Sequence, residues 1–468
     1  MSRVAKRPMR ATSEKLPPPV FDVCMLVPMA AFAYILILAP LLNFSLTASS
    51  EISIAPAAAV EILMTPRPEN KIVWPLLTLI TLFLVARNFS RLTRLPANII
   101  CLFAYLGFAG LSILWAFKPE FTLTRFVLQA MIVSCIVLPT LIARPGTDVM
   151  RGVYFCFAAA VVLNVPIVFM QSPISVQGWH GIEVIGYPGY FSFKGELGQC
   201  AAIAFLLSLY ELLFRGWRRA LALVIIAATV FLMLVSKSKG SLGMAIIAPI
   251  MAGATLFIGR RLGTSPAITI LPIPITYAVL AAVMGNIINR ISWYVYGNYD
   301  LSGRMFIWEF VNYEISKRPI LGWGYQSFWL VGPDGPSLTE APGWIRGMPS
   351  GHNGYLDTQL DLGYPGLLLL VAFIMTTLHA IGHVAKRNAR LALLLLTLAF
   401  FVILQNFLET VWMHGQDTLW MMFLLATAVA ARYVPDYRQN ARPRARRQAA
   451  KGPLVPSAYQ REPDTQAS

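Results

Sequence analysis

The sequence predicts an all-α integral membrane protein that crosses the bilayer about 12 times and keeps one long loop outside it. Three observations carry this prediction. Of 468 residues, 57% are hydrophobic and 13% charged, at a mean hydropathy of +0.62, a balance foreign to soluble domains of this size. The apolar residues come in runs of about 20, enough to cross the hydrocarbon as helices. Lysines and arginines gather in alternate connections between the runs, the bias that sets membrane topology.

The elements follow in order. Residues 1–20 are a basic leader in which Arg3, Lys6, Arg7, Arg10 and Lys15 precede Pro17-Pro18-Pro19. The first apolar run is long and lacks a small-residue cleavage site, so no cleavable signal is expected. Spans fall at about 23–43, 72–87, 98–117, 121–142, 152–171, 196–214, 220–236, 240–258, 267–289, 366–385, 391–408 and 416–433. This divides the chain into helices 1–9 over 21–289, a polar loop over 290–365, helices 10–12 over 366–433 and a basic tail over 434–468.

With the N-terminus in the cytoplasm, alternation through these spans gives the inner side 26 of the 38 Lys and Arg against 7 acids, and the outer side 12 against 15. The formal net charge of +16 is then a topology signal with attraction to anionic headgroups, and nucleic acid is not an expected partner. Both termini lie inside and the 290–365 loop faces out. Cys24, Cys101, Cys135, Cys156 and Cys200 all fall in spans, without a CxxC, and read as small packing residues.

Chemistry concentrates in the outer segments. Thirteen aromatics lie between Trp293 and Trp344, material for a sugar cleft and equally for interfacial anchoring. Lys194 opens span 6, Lys239 opens span 8, and Arg304 lies in the first turn of an amphipathic helix expected at about 303–317, N-capped by Ser302 and ended by Arg318-Pro319. A cation at a helix N-terminus opposes the macrodipole, at roughly 0.3–1 kcal/mol each. An anion held by the same N–H groups reverses that cost. Three such cations on one side favour an anion site, although a snorkelling interfacial cation gives any one of them.

His352 is the lone histidine of the long loop. Asn353 behind it can cap a short helix 354–362 that places Asp357 and Asp361 on one face, before Gly363-Tyr364-Pro365-Gly366 breaks the chain. A histidine there can take a hydroxyl proton near neutral pH, while the plainer reading is a polar surface residue. The outer side shows no His/Asp/Glu cluster with metal-ligand spacing, so neither metal nor cofactor is expected.

The runs Ser302-Gly303-Arg304-Met305-Phe306-Ile307-Trp308, Arg318-Pro319-Ile320-Leu321-Gly322-Trp323-Gly324 and Gly351-His352-Asn353-Gly354-Tyr355-Leu356 resemble the signature of the O-antigen ligase and polymerase superfamily. Weaker matches stand in the same order: Ser112 to Trp115, Lys194 to Gly198, Ser238-Lys239, and Glu409 with Asp417 and Trp420. The Ser-Lys turn and the 405–420 region look most like the exopolysaccharide (succinoglycan-type) polymerase branch.

The resemblance implies a metal-independent inverting glycosyltransferase of the bacterial cytoplasmic membrane. Its donor would be a polyprenyl-diphosphate (undecaprenyl-type) oligosaccharide, its acceptor a second glycan, and chain-length regulators or export proteins further partners. Family roles carried over residue by residue fall on His352 as base and on Arg304 and Lys239 near the diphosphate. Lys194, Arg346, Glu409, Asn353 and Trp308 are the expected remainder of the substrate site. Lys239 stands where Arg is commoner, a point charge in place of a fork. Gly195 stands where many relatives have Asn, which weakens the transfer onto Lys194. The alternatives are a ligase moving glycan to a lipid A core and, in another class, a transporter of the same lipid-linked glycan. The transporter is disfavoured because span centres carry almost no charge.

Overall fold

The structure is a computed structural model describing residues 21–44, 67–92, 94–178, 181–273, 293–294 and 303–435. Among the described residues, eight helices are long and apolar enough to cross a membrane, joined by two shorter apolar ones. The protein is an all-α polytopic membrane protein. Its helices are α1 (Val23–Leu42), α2 (Asn70–Arg87), α3 (Ala97–Leu111), α4 (Pro119–Ile142), α5 (Val149–Met170), α6 (Lys194–Glu211), α7 (Trp217–Val235), α8 (Lys239–Leu262), α9 (Pro266–Ile270), α10 (Arg304–Lys317), α11 (Gly354–Ala385), α12 (Ala389–Gln405) and α13 (Thr418–Ala431). Of the expected ninth span, only α9 and the few residues after it are described; 274–289 lie outside the described residues.

Segments that the charge count assigns to one side meet one another. The Asp22 carboxylate lies 3.5 Å from Arg91 and accepts from the Arg144 N–H at 2.7 Å, and Arg432 reaches the Arg144 carbonyl at 2.7 Å. At the opposite end the long loop closes over α3, α4 and α11. All five cysteines are free thiols and four are buried.

The loop is held by the kink in α11. Asn353 caps that helix, its side chain accepting from the Tyr355 and Leu356 N–H groups at 3.1 and 3.2 Å. Ten residues on, Gly363 takes φ +64°, ψ −164° and breaks the ladder. The loop supplies donors at the break: Trp323 N–H bonds the Leu360 carbonyl and Gly324 N–H the Asp361 carbonyl, both at 2.9 Å. The backbones pass so closely that a Cβ on Gly363 would sit 2.0 Å from the Ile320 oxygen. Thus the Gly-Trp-Gly run and the Gly363 break are two halves of one joint. The C-terminal end of α3 is a second anchor. Ser112 Oγ accepts from Tyr325 N–H at 2.8 Å, and the Trp115 indole donates to the Leu321 carbonyl at 2.9 Å.

Three expectations are revised. The loop aromatics Phe310, Trp323 and Phe328 pack with Ile307, Val311 and Ile345 as the loop's own core, and Trp329 stands between that core and the wall of a cavity. Their rings meet edge to face, Phe328 on Trp329 at 5.0 Å and Trp323 on Phe328 at 5.5 Å. Gly303, in left-handed conformation at φ +86°, occupies the N-cap of α10 without a side-chain cap, while Ser302 lies outside the described residues. The segment before α6 folds as an antiparallel hairpin, β1 (Ile174–Gly178) with β2 (Gly181–Gly186), which its glycines had not announced.

Candidate active site

Three segments converge at the end of the bundle that carries the long loop: the start of α10, the loop just before α11, and the turn between α12 and α13. Glu409 in that turn joins them. One carboxylate oxygen accepts from Arg304 Nη2 at 2.9 Å; the other lies 3.0 Å from His352 Nδ1. Arg304 also donates through Nε to the Leu408 carbonyl at 3.0 Å. Burial pushes the Glu409 carboxyl up, but its bonds to His352 and Arg304 outweigh burial and hold it below the usual carboxylate range. It is therefore an anion at neutral pH, fixed between a guanidinium and an imidazole.

The positions of these groups are imposed from behind. His352 sits at φ +49°, a left-handed conformation that a non-glycine residue keeps only where its surroundings enforce it. The enforcement comes from Asp357, one turn into α11. Its carboxylate accepts from the Gly351 N–H at 2.9 Å, from the Trp329 indole at 2.9 Å and from the Thr410 hydroxyl. One buried side chain thereby grips the residue before His352 and the residue after Glu409. Trp308 donates to the Gly351 carbonyl at 3.1 Å, and Gly354 N–H bonds the carbonyls of Asn406 and Glu409 at 2.8 and 3.1 Å.

Among the expected site residues, then, Arg304, His352 and Glu409 come together, and Trp308 and Asn353 hold their segments in place. Lys194 and Lys237 form a second group, their ammoniums donating to the Ile185 and Val184 carbonyls of β2 at 3.1 and 3.0 Å. Lys239 begins α8, where a Cβ added to the next residue, Gly240, would lie 3.7 Å from the side chain of Leu408, whose carbonyl accepts from Arg304. Arg346 donates to the Ala341 carbonyl at 2.9 Å, inside the loop. Sequence reasoning noted Asp357 and Asp361 only as neighbours on a face, and assigned Arg125 no role. Arg125 sits on α4, donating to the carbonyls of Gln326, Trp329 and Leu330. The available signal was a cation within an otherwise apolar span.

Beside the dyad lies a cavity of about 260 Å³, lined by residues including Arg125, Gln326, Trp329, Asp357, Asp361 and His414. Burial, with Arg125 and His352 nearby, pushes His414 down to about 4, so its imidazole is neutral at physiological pH.

No family model matches the chain. It is 27% identical over 138 residues to a protein of Rickettsia felis named "Putative polysaccharide ligase", a match covering 28% of this chain and 33% of that one. Proteins of the same description resemble it in Rickettsia prowazekii, at 28% over 138 residues and 34% of that chain, and in Rickettsia conorii, at 31% over 87 residues and 21% of that chain. The chain matches about a third or less of the length of these curated relatives.

Proposed function

We propose that the protein is a membrane glycosyltransferase that moves a glycan from a polyprenyl-diphosphate carrier to a hydroxyl of a second glycan, polymerising exopolysaccharide or O-antigen-like repeats. The observation that carries this is Glu409 holding His352 and Arg304 as one unit. With Nδ1–H donated to Glu409, the other ring nitrogen presents a lone pair to an acceptor hydroxyl. His352 takes that proton as the hydroxyl oxygen attacks the anomeric carbon from the face opposite the diphosphate. The carbon–oxygen bond to the diphosphate breaks, its electron pair stays on the departing oxygen, and configuration inverts. Glu409 stabilises the imidazolium that forms; Arg304 and the cations at the starts of α6 and α8 face the developing negative charge. The scheme uses no metal.

The relatives' names favour a second reading, ligation of finished glycan to a lipid acceptor. Deleting the protein separates the two. Accumulated single lipid-linked repeats mean polymerase, accumulated unattached polymer means ligase, and neither species means the transfer reading is wrong. We place the dyad on the extracytoplasmic face of the inner membrane with both termini inside. Reporter fusions after Arg219 and near Asp334 should then report cytoplasm and exterior, and a cytoplasmic Asp334 overturns the topology.

A further inference from the structure

We infer that the cavity beside the dyad seats one neutral, hydroxyl-bearing sugar ring of the acceptor, with Asp361 as its hydrogen-bond acceptor; this rests on the glycosyl-transfer reading above. Size comes first. About 260 Å³ lies just below the roughly 300–1,000 Å³ of pockets for drug-sized ligands, which limits the occupant to something near a single ring.

The second observation is an unused acceptor. Asp361 is 9% exposed; its Oδ2 accepts from the Gln326 N–H at 2.8 Å, while Oδ1 is buried without a hydrogen-bond partner. Buried carboxylate oxygens rarely go unbonded, and this one belongs to a residue of the cavity wall. Third, the wall is strained. Gln326, Leu330 and Met413 line the cavity at φ +48°, +51° and +48°, beside His352 at +49°. Three of the five non-glycine residues with positive φ among the described residues thus line one space. Such strain gathers at sites that bind and react.

Charge then selects the ligand class. Asp357 is spent on Gly351, Trp329 and Thr410, and Arg125 is spent on three backbone carbonyls. The neutral His414 adds no charge. The Arg125 guanidinium disfavours a cationic ligand and the unbonded Asp361 oxygen an anionic one, so a neutral hydroxyl donor fits both. Trp329 and Trp412 in the wall offer apolar surface to the C–H face of a sugar ring. Placement makes the ring an acceptor's. Arg304 is on one side of Glu409, whereas Thr410 leads from Glu409 to the cavity through Asp357. The wall thus reaches the residues next to His352 and Glu409 through Asp357, and Arg304 is not part of it.

The test uses purified full-length protein in nanodiscs and titrates methyl glycosides of glucose, galactose, mannose and N-acetylglucosamine by saturation-transfer NMR. At least one should bind saturably to the unmodified protein. Asp361→Asn keeps an oxygen for the Gln326 N–H but turns an NH₂ toward the cavity, and should weaken that binding roughly tenfold or more. Should Asp361→Asn fail to fold, Gln326→Asn suits the left-handed backbone, shortens the wall, and must also lose binding. If no glycoside binds, or if the folded variant binds as well as the parent, the sugar seat is wrong. Transfer by His352→Gln judges the reaction separately: loss of transfer with no glycoside binding would sink the seat and leave the transferase standing.

Discussion

Two arginine–glutamate pairs stand at opposite ends of this bundle, and they do different things with the same groups. At one end Arg218 grips Glu211 with two parallel bonds of 2.6 and 2.7 Å, stacked 3.5 Å over the Phe214 ring, with Glu211 only 3% exposed. Both carboxylate oxygens serve one partner, and the pair is closed. At the other end Glu409 gives Arg304 a single oxygen and keeps the second for His352, and it stays 34% exposed. A closed pair stabilises a helix corner. A divided carboxylate couples a base to a cation, and it does so where solvent and substrate can enter.

The largest effect should come from the open pair. His352→Gln should slow transfer by roughly 10²- to 10⁴-fold while lipid-linked donor still binds, because the cations hold the diphosphate. Glu409→Gln keeps the shape of the side chain but removes the charge that orients the ring, and should cost less than the loss of His352 itself. Single-turnover rates with a separate donor-binding assay read both. Near-normal rates in a well-folded His352→Gln would reduce the dyad to a structural feature like its counterpart at the other end.

How much of this was legible beforehand follows the physics of each part. The all-α membrane class was, because a bilayer demands about 20 apolar residues wherever the chain crosses it, and eight of the 12 expected spans fall on described helices long and apolar enough to cross. His352, Arg304 and Glu409 were each singled out, and Asn353 was recognised as a cap from its place before an apolar helix. The division of Glu409 was not legible, since His352 and Glu409 are 57 positions apart and only the fold closes that distance. Nor was Asp357. Its i, i+4 spacing to Asp361 says the two share a face, but not that one is saturated by Gly351, Trp329 and Thr410 while the other keeps an unbonded oxygen. The loop core failed for a further reason. Aromatic content is the same whether rings meet lipid, sugar or each other, and packing decides among them.

The closed pair should break in stability and leave the chemistry alone. Glu211→Ala leaves the Arg218 guanidinium without its bidentate partner at a largely buried corner, at a cost of about 3 kcal/mol. A lower thermal midpoint with an unchanged transfer rate per folded molecule is the expected result. An equal loss of rate and of stability would mean that the two ends are coupled through the bundle.

The smallest effect sharpens the comparison with a third carboxylate. Asp417 follows Glu409 in the same turn but forms no ion pair among the described residues; its oxygen caps α13 by accepting from the Leu419 and Trp420 N–H groups at 2.7 and 3.1 Å. Burial pushes its carboxyl up to about 7, the two backbone bonds act against that rise, and Glu196 and Glu409 add to it. In the unfolded chain an aspartate titrates near 3.9. Between those values the unfolded chain has released the proton and the folded one retains it, so Asp417 makes stability fall as pH rises through this window and level off above it. Asp417→Asn keeps a side-chain oxygen for the cap and removes the titration. The thermal midpoint of the variant should match the parent near pH 4 and exceed it at pH 8 by a degree or two, after the usual discount for a site that water reaches. A variant less stable than the parent at pH 8 would show that the charge, rather than the oxygen, is what α13 requires. Asp417 would then belong with Glu409 among carboxylates kept for their ionised form.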